Sequence, residues 1–329
     1  MDHPSMASGV EPVSAGRRHR LTMDRSVRGI MGVLAVALLI HLIPFFLPRN
    51  MPEQELAIAR AMPGVEQRVQ YLLPLREHPK ATPAELREAA ELLLDGAPAQ
   101  ARELASEAER RDPNAVETHL LMARICDAER MDRCVSASLE RAAQVAPEDA
   151  RPDLLRADLR EKDGDFGGAT EAVGRAYRKA PADPLIGLRY VRLLSATKRG
   201  DEALAVLGKF EGRMPRARLL VEQGRVHAQA GRYAEAAGLF RKAVEEDPRL
   251  GIGYFELGLA RYQLGNLEAA EQALRQADRL EPSDPKALAA LCAMQLKDGS
   301  IEGARLTRMD LERRFSGRDE LIRQSCSIP

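Results

Sequence analysis

An all-α solenoid of six to seven helix–turn–helix repeats, behind one N-terminal transmembrane helix, is the fold class that three features of the sequence predict. Prolines recur at a near-constant spacing, the composition favours helices packed through small side chains, and one uncharged apolar run near the N-terminus has the length of a bilayer crossing.

The apolar run comes first along the chain. Residues 30–47 read "IMGVLAVALLIHLIPFFL" without a charge. At ~1.5 Å per residue they span roughly 27 Å, close to a hydrocarbon core of about 30 Å. His41 and Pro44 lie near the outer end of this span, where neither needs a buried ionic partner. Arg17, Arg18, Arg20, Arg25 and Arg28 precede the run, whereas only Arg49 and Arg60 follow it closely, among Glu53 and Glu55. That asymmetry predicts a cytoplasmic N-terminus and an exported remainder, in a bacterial inner membrane with the large domain in the periplasm. No small-x-small cleavage site directly follows the run, so an uncleaved signal anchor is favoured over a cleaved signal peptide. Residues 1–29, rich in Arg, Ser and Gly, read as a disordered basic tail on the cytoplasmic side. Residues 48–81 carry Pro48, Pro52, Pro63, Pro74 and Pro79, which predicts a broken helical stalk with at most half a repeat closed by Pro79.

From Pro79 the prolines continue at Pro113, Pro147, Pro181, Pro215, Pro248 and Pro282, in steps of 34 except for one of 33 into Pro248. Other positions keep step. Ala108, Ala142, Ala176, Ala243 and Ala277 stand five residues before a proline, Ala101, Ala169, Ala203, Ala236 and Ala270 twelve before, and Ala89, Ala123, Ala157, Gly224 and Gly258 twenty-four before. Leu139, Val173, Leu207, Phe240 and Leu274, eight before, form the apolar stripe of a second helix. Between the helices a turn often carries glycine, as at Gly96, Gly164, Gly200, Gly231 and Gly265. Trp is absent and aromatics are only 4%, so close approach through Ala and Gly, rather than aromatic packing, must hold the helices together.

On these residues the chain resembles the tetratricopeptide repeat family. The resemblance covers residues 82–284 as six units, with a seventh over residues 285–315 in which Cys292, Gly299 and Ala304 hold repeat positions. Residues 316–329 are left as a C-terminal tail. Departures cluster in the middle. His119 and Tyr254 stand where the family usually has Trp, and Val191 and Phe210 are large where a small residue is expected, which predicts a local irregularity near Pro215.

The family's superhelix lines its concave face with the first helix of each unit. Carried onto this sequence, that places Arg124, Asp158, Arg192 and Arg225 in the groove, with Arg151 and Arg218 near them and Ile252, Phe255 and Tyr262 in the later units. The paired donors of arginine suit carboxylates, so an acidic protein segment or a chain terminus is the expected partner, and the aromatic end suits an apolar anchor. The family's Lys and Asn arrangement for chaperone tails is not reproduced. The expected function is a membrane-anchored scaffold or adaptor that binds a protein segment, with a periplasmic chaperone for translocated or maturing chains as the alternative.

Several classes find no support. With 49 basic residues against 49 acidic ones there is no global field for nucleic acid. No phosphate loop, HExxH or CxxC is present, and His3, His19, His41, His78, His119 and His227 are scattered, so no enzyme, metal or cofactor is expected. Asp163 and Asp165 in "KDGDFGG" imitate a calcium loop but fall on a turn and lack its distal Glu. Cys126 and Cys134 flank one turn closely enough for a disulfide in an oxidising compartment, and Cys292 with Cys326 is a second, weaker candidate pair.

Overall fold

The computed structural model describes residues 51–317 and 319–327. The basic tail and the expected anchor (30–47) lie outside the described residues. Among the described residues there are 17 α-helices, one 3-10 turn and no strand. No helix among them is long and apolar enough to cross a membrane.

Two short helices, α1 (Pro52–Ala61) and α2 (Val65–Leu72), and the 3-10 turn (Leu73–Glu77) precede seven helical hairpins. The hairpins are α3 (Pro83–Leu93) with α4 (Pro98–Arg111), α5 (Val116–Ala128) with α6 (Asp132–Val145), α7 (Arg151–Lys162) with α8 (Phe166–Lys179), and α9 (Pro184–Ala196) with α10 (Gly200–Gly208). Then follow α11 (Arg216–Gln229) with α12 (Tyr233–Glu246), α13 (Gly251–Gln263) with α14 (Leu267–Leu280), and α15 (Lys286–Lys297) with α16 (Ile301–Arg314); α17 (Asp319–Ser325) closes the stack.

Local chemistry starts and stops these helices. Thr82 and Glu85 make a reciprocal capping box at α3, and the Asp183 carboxylate accepts from the amides of Leu185 and Ile186 at α9. Between partner helices the chain passes through the left-handed region, with φ of +75° at Gly231 and +77° at Gly265. At two turns a residue with a side chain takes that place: Arg130 at φ 57° and Lys198 at φ 62°. Gly200 is therefore not the turn glycine of its unit. Gly96 also serves another end, because a Cβ there would press on Val65 of α2 at 2.7 Å.

The small positions of the repeat are where helices meet. Ala89, Ala123, Ala157, Ala101, Ala169 and Ala236 are completely buried. A Cβ on Gly258 would lie 2.8 Å from Leu274, and one on Gly224 would collide with the Phe240 ring. Glycine on one helix of a hairpin thus makes room for the larger residue on the other. The expected irregularity follows the same rule. Phe210, large at a small position, buries its ring against Gly187, and the chain leaves the helix early, so α10 has 9 residues where the other second helices have 14.

Each first helix touches its own partner and also the first helix of the next unit, as α3 with α5, α5 with α7, α9 with α11, α11 with α13 and α13 with α15. Second helices have no comparable contact with one another, so the stack closes more tightly on the first-helix side. That side is the inner face on which a groove must lie.

Both ends differ from expectation. The stretch read as a stalk is instead a docked cap: Leu56, Ala59, Leu72 and Leu75 are buried in the core of the first unit. Arg111 ties it down by donating to the carbonyls of Arg76, His78 and Ala81 while its Nε bonds Glu107. The prolines break the segment into short helices, but its apolar residues still cover the first hairpin, which would otherwise face water. At the other end the expected tail forms α17, with Ile322 and Cys326 buried beside Leu288, Leu291 and Leu311.

Candidate partner-binding surface

The residues expected on the inner face lie on first helices, and most are already engaged. Arg124 on α5 reaches Glu91 on α3 at 3.5 Å, and Arg151 at the start of α7 reaches Glu117 on α5 at 3.0 Å. Asp158 on α7 accepts from Arg189 on α9 at 2.6 Å, and Arg225 on α11 reaches Glu256 on α13 at 2.7 Å. These pairs are 31 to 34 residues apart in sequence, close to one repeat, so they form a ladder of ion pairs along the seam between first helices. The repeat period places an acid of one unit beside a base of the next.

Two of these arginines are held firmly. Burial alone would lower the Arg225 guanidinium, but the charges of Glu222 and Glu256 outweigh it and raise it. Arg151 is raised well above its ordinary value by hydrogen bonds to Asp149 first and Glu117 second. A guanidinium already shared between two carboxylates has little left for a ligand. Arg192 on α9 and Arg218 on α11 are different: both are exposed, and neither has a carboxylate within ion-pair distance among the described residues. Of the six charged residues expected in the groove, Arg192 and Arg218 are thus the two without an ion-pair partner among the described residues.

The aromatic end of the groove is partly absorbed into the fold. Phe255 and Tyr262 are half-buried and pack against the cluster containing Leu274, Leu288 and Leu291, so each offers only an edge to solvent. His119, in the place of the usual Trp, is buried with Nε2 2.8 Å from the Pro113 carbonyl oxygen. That oxygen can only accept, so Nε2 carries the proton and the ring is a structural tie. Asp165 of the calcium-like loop caps α8 through the amide of Gly168 and pairs with Arg160 at 2.8 Å. Among the described residues no group of three or more His, Cys, Asp or Glu side chains is placed to hold a metal ion.

A second charged constellation, not anticipated from the spacing, surrounds Asp153 at the start of α7. The carboxylate is 3% exposed and is met by Arg156 at 3.2 Å, Arg175 at 2.8 Å and Lys179 at 2.8 Å. Burial would push this carboxyl up; hydrogen bonds from Lys179 and Arg175 hold it below the usual carboxylate range instead. One acid thus neutralises part of three bases and ties α7 to α8. Its sequence signal is faint, because Asp153 lies 22 residues from Arg175 and follows no repeat position.

The cysteines come together in two pairs. The sulfurs of Cys126 and Cys134 lie at bonding distance across the α5–α6 turn, with Cα atoms 5.8 Å apart, and those of Cys292 and Cys326 across α15 and α17, with Cα atoms 5.5 Å apart. The second pair bonds the terminal helix to the last hairpin.

Comparison with known proteins follows the same lines. Residues 191–251 and 221–287 match the tetratricopeptide repeat family model. The protein CTR9 homolog of Arabidopsis thaliana is 33% identical over 156 residues, which is 44% of this chain and 14% of that protein. The chain therefore spans about a seventh of the length of the curated relative it matches. Among solved structures, a tetratricopeptide repeat protein from Parabacteroides merdae ATCC 43184 superposes with a TM-score of 0.51 at 17% identity, covering 73% of this chain and 95% of its own, and so shares the fold. PilW, described as a widely conserved type IV pilus biogenesis factor, superposes with a TM-score of 0.45 at 18% identity, covering 63% of this chain and 96% of its own. Residues 191–287 thus carry tetratricopeptide repeats, and the hairpins before and after them continue the same helical arrangement. Repeats of this class generally serve as surfaces for protein–protein interaction.

Proposed function

We propose that this chain is a membrane-anchored adaptor whose repeat domain, on the periplasmic side of a bacterial inner membrane, holds an acidic protein segment or a chain terminus against Arg192 and Arg218. The observation that carries this reading is the contrast within the predicted row: Arg124, Arg151 and Arg225 are occupied by carboxylates one unit away, while Arg192 and Arg218 are exposed and unpaired among the described residues. Arginine's planar fork, free of an internal partner, suits a carboxylate brought by another chain. The anchor rests on the uncharged run at residues 30–47 and the five arginines ahead of it. Two cysteine pairs poised for bonding favour an oxidising compartment.

Crosslinking of the full-length protein in its native membrane tests the adaptor. One dominant partner with an acidic segment is expected, lost on the double change Arg192→Glu and Arg218→Glu. Unchanged capture by that variant would remove the site, and a broad spread of unfolded exported chains would replace the adaptor with the chaperone. Protease added to spheroplasts should cut the repeat domain and spare the N-terminal tail; the reverse pattern would overturn the orientation. Intact mass without reductant should lack the thiol hydrogens of both cysteine pairs, and free thiols would argue against an oxidising compartment.

A further inference from the structure

The outer face of the last hairpin departs from a pattern that the units before it keep. α16 buries Ala304, Thr307 and Leu311 and turns Leu306 and Met309 outward, 62% and 65% exposed. Three residues apart on one helix, these two side chains form a single apolar patch. The same two positions one repeat earlier hold Gln272 and Arg275 on α14, and one repeat before that Gly238 and Arg241 on α12. Neither pair presents a large apolar side chain to water. The terminal helix α17 does not cover the patch, since its buried residues Ile322 and Cys326 lie instead against the cluster of Leu288, Leu291 and Leu311.

Charge placement selects the occupant. On the same outward stripe, Glu302 stands four residues before Leu306 and Arg313 four residues after Met309. The stripe therefore reads acid, Leu, Met, base at steps of four, three and four, the spacing of a coiled-coil seam. When a second copy is laid against it in the opposite direction, about a two-fold axis between Leu306 and Met309, each Leu306 meets the Met309 of the other copy and each Glu302 meets the other copy's Arg313. On one flank Arg305 comes beside Glu312 of the second copy. Laid in the same direction, Glu302 would face Glu302 and Arg313 would face Arg313, which opposes that arrangement. All four charged side chains are at least half exposed, and their present partners lie on their own helix: Glu302 with Arg305 at 3.6 Å, Glu312 with Arg308 at 2.8 Å and Arg313 with Asp310 at 2.6 Å. Exposed pairs of this kind contribute little and are readily exchanged.

We propose that α16 is a homodimer contact in which the outward stripes of two copies of this chain pack antiparallel, Leu306 against Met309, with Glu302 and Arg313 setting the register. It lies on a second helix, whereas Arg192 and Arg218 lie on first helices, so it depends on neither the inner-face partner nor the membrane anchor. One helix per copy buries less than a standard interface, so the dimer exchanges with monomer at micromolar concentrations.

Sedimentation equilibrium of the full-length chain in a density-matched neutral detergent tests the contact. A concentration-dependent dimer is expected. Leu306→Asp with Met309→Asp should raise its Kd about tenfold or more and leave the unfolding temperature unchanged, because both side chains are already exposed. Charge tests the register. Glu302→Arg alone should raise the Kd several-fold, and adding Arg313→Glu should return it to within about twofold of wild type, because the swap restores both cross-copy pairs. A benzoylphenylalanine photo-crosslinker at position 309, in the native membrane, should give a product of twice the chain mass joined near Leu306. A monomer at every concentration, a dimer unmoved by the paired aspartates, or a charge swap that fails to rescue would overturn the contact. A crosslink to a different protein in place of a second copy would overturn it as well.

Discussion

The first three units and the junction between the fourth and fifth handle charge in opposite ways. From α3 to α8, the bases on the seam between first helices and around Asp153 find acids: Arg124 with Glu91, Arg151 with Glu117, and Arg156, Arg175 and Lys179 with Asp153. From α9 to α11, Arg192, Lys209, Arg213, Arg216 and Arg218 stand unpaired among the described residues. Four of these five bases lie on or beside the turn where Phe210 ends α10 early, whereas Arg189 and Arg225 on the flanking helices still find acids of the neighbouring units. The same residue type is thus structural in one region and available in the other, which composition alone could not separate.

The strongest way to break the contrast is to remove the ring at that turn. Phe210→Ala should cost about 3–5 kcal/mol, because Gly187 opposite offers no side chain to fill the space. Chemical denaturation is expected to show the fourth and fifth units melting before the first three, and a single unshifted transition would mean that the junction is not set by this ring.

Next in size is the buried acid of the paired region. Asp153→Asn should destabilise by about 2–4 kcal/mol, since three bases lose their shared partner. The pH profile adds a sign. The folded carboxyl is held below its unfolded value, so its contribution is complete at pH values above about 4 and disappears as pH falls through the folded pKa. The variant should lack that acid limb. Parallel acid melting curves for the variant and the wild type would show that Asp153 is not held low.

Charge reversal then sharpens the comparison directly. Arg225→Glu faces Glu222 and Glu256 at close range and should cost about 1–2 kcal/mol. Arg192→Glu, with no such neighbours, should stay within about 0.5 kcal/mol of wild type while reducing partner capture. Equal destabilisation by the two would erase the distinction drawn here. The smallest effect belongs to Arg151→Ala, an exposed pair worth about 0–1 kcal/mol and expected to vanish in high salt. Thermal melts at low and high ionic strength would read it.

Much of this architecture was legible from the sequence. The proline ladder and the alanine and glycine positions in step with it locate all seven hairpins, because a repeat writes its contacts at a fixed period. The departures at Val191 and Phe210 mark the irregular junction correctly, since a ring at a small position must displace something. The docked cap was not legible, because Pro52, Pro63 and Pro74 read as breaks while Leu56, Leu72 and Leu75 become core only against α3 and α4. The state of each arginine was also hidden. Position in the repeat predicts the face of a helix, but whether a guanidinium is engaged depends on which side chain the neighbouring unit presents within about 3 Å.

Sequence by itself determined the helical class, the period, the turns and the small contact residues of this protein, because these rest on local propensity and on a pattern repeated at constant spacing. Only the tertiary structure decided that the N-terminal segment caps the stack, that Asp153 gathers three bases, that Leu306 and Met309 stay exposed, and which arginines remain free. Those outcomes depend on distances between units, and a charge or an apolar side chain has no fixed role until its neighbours in space are known.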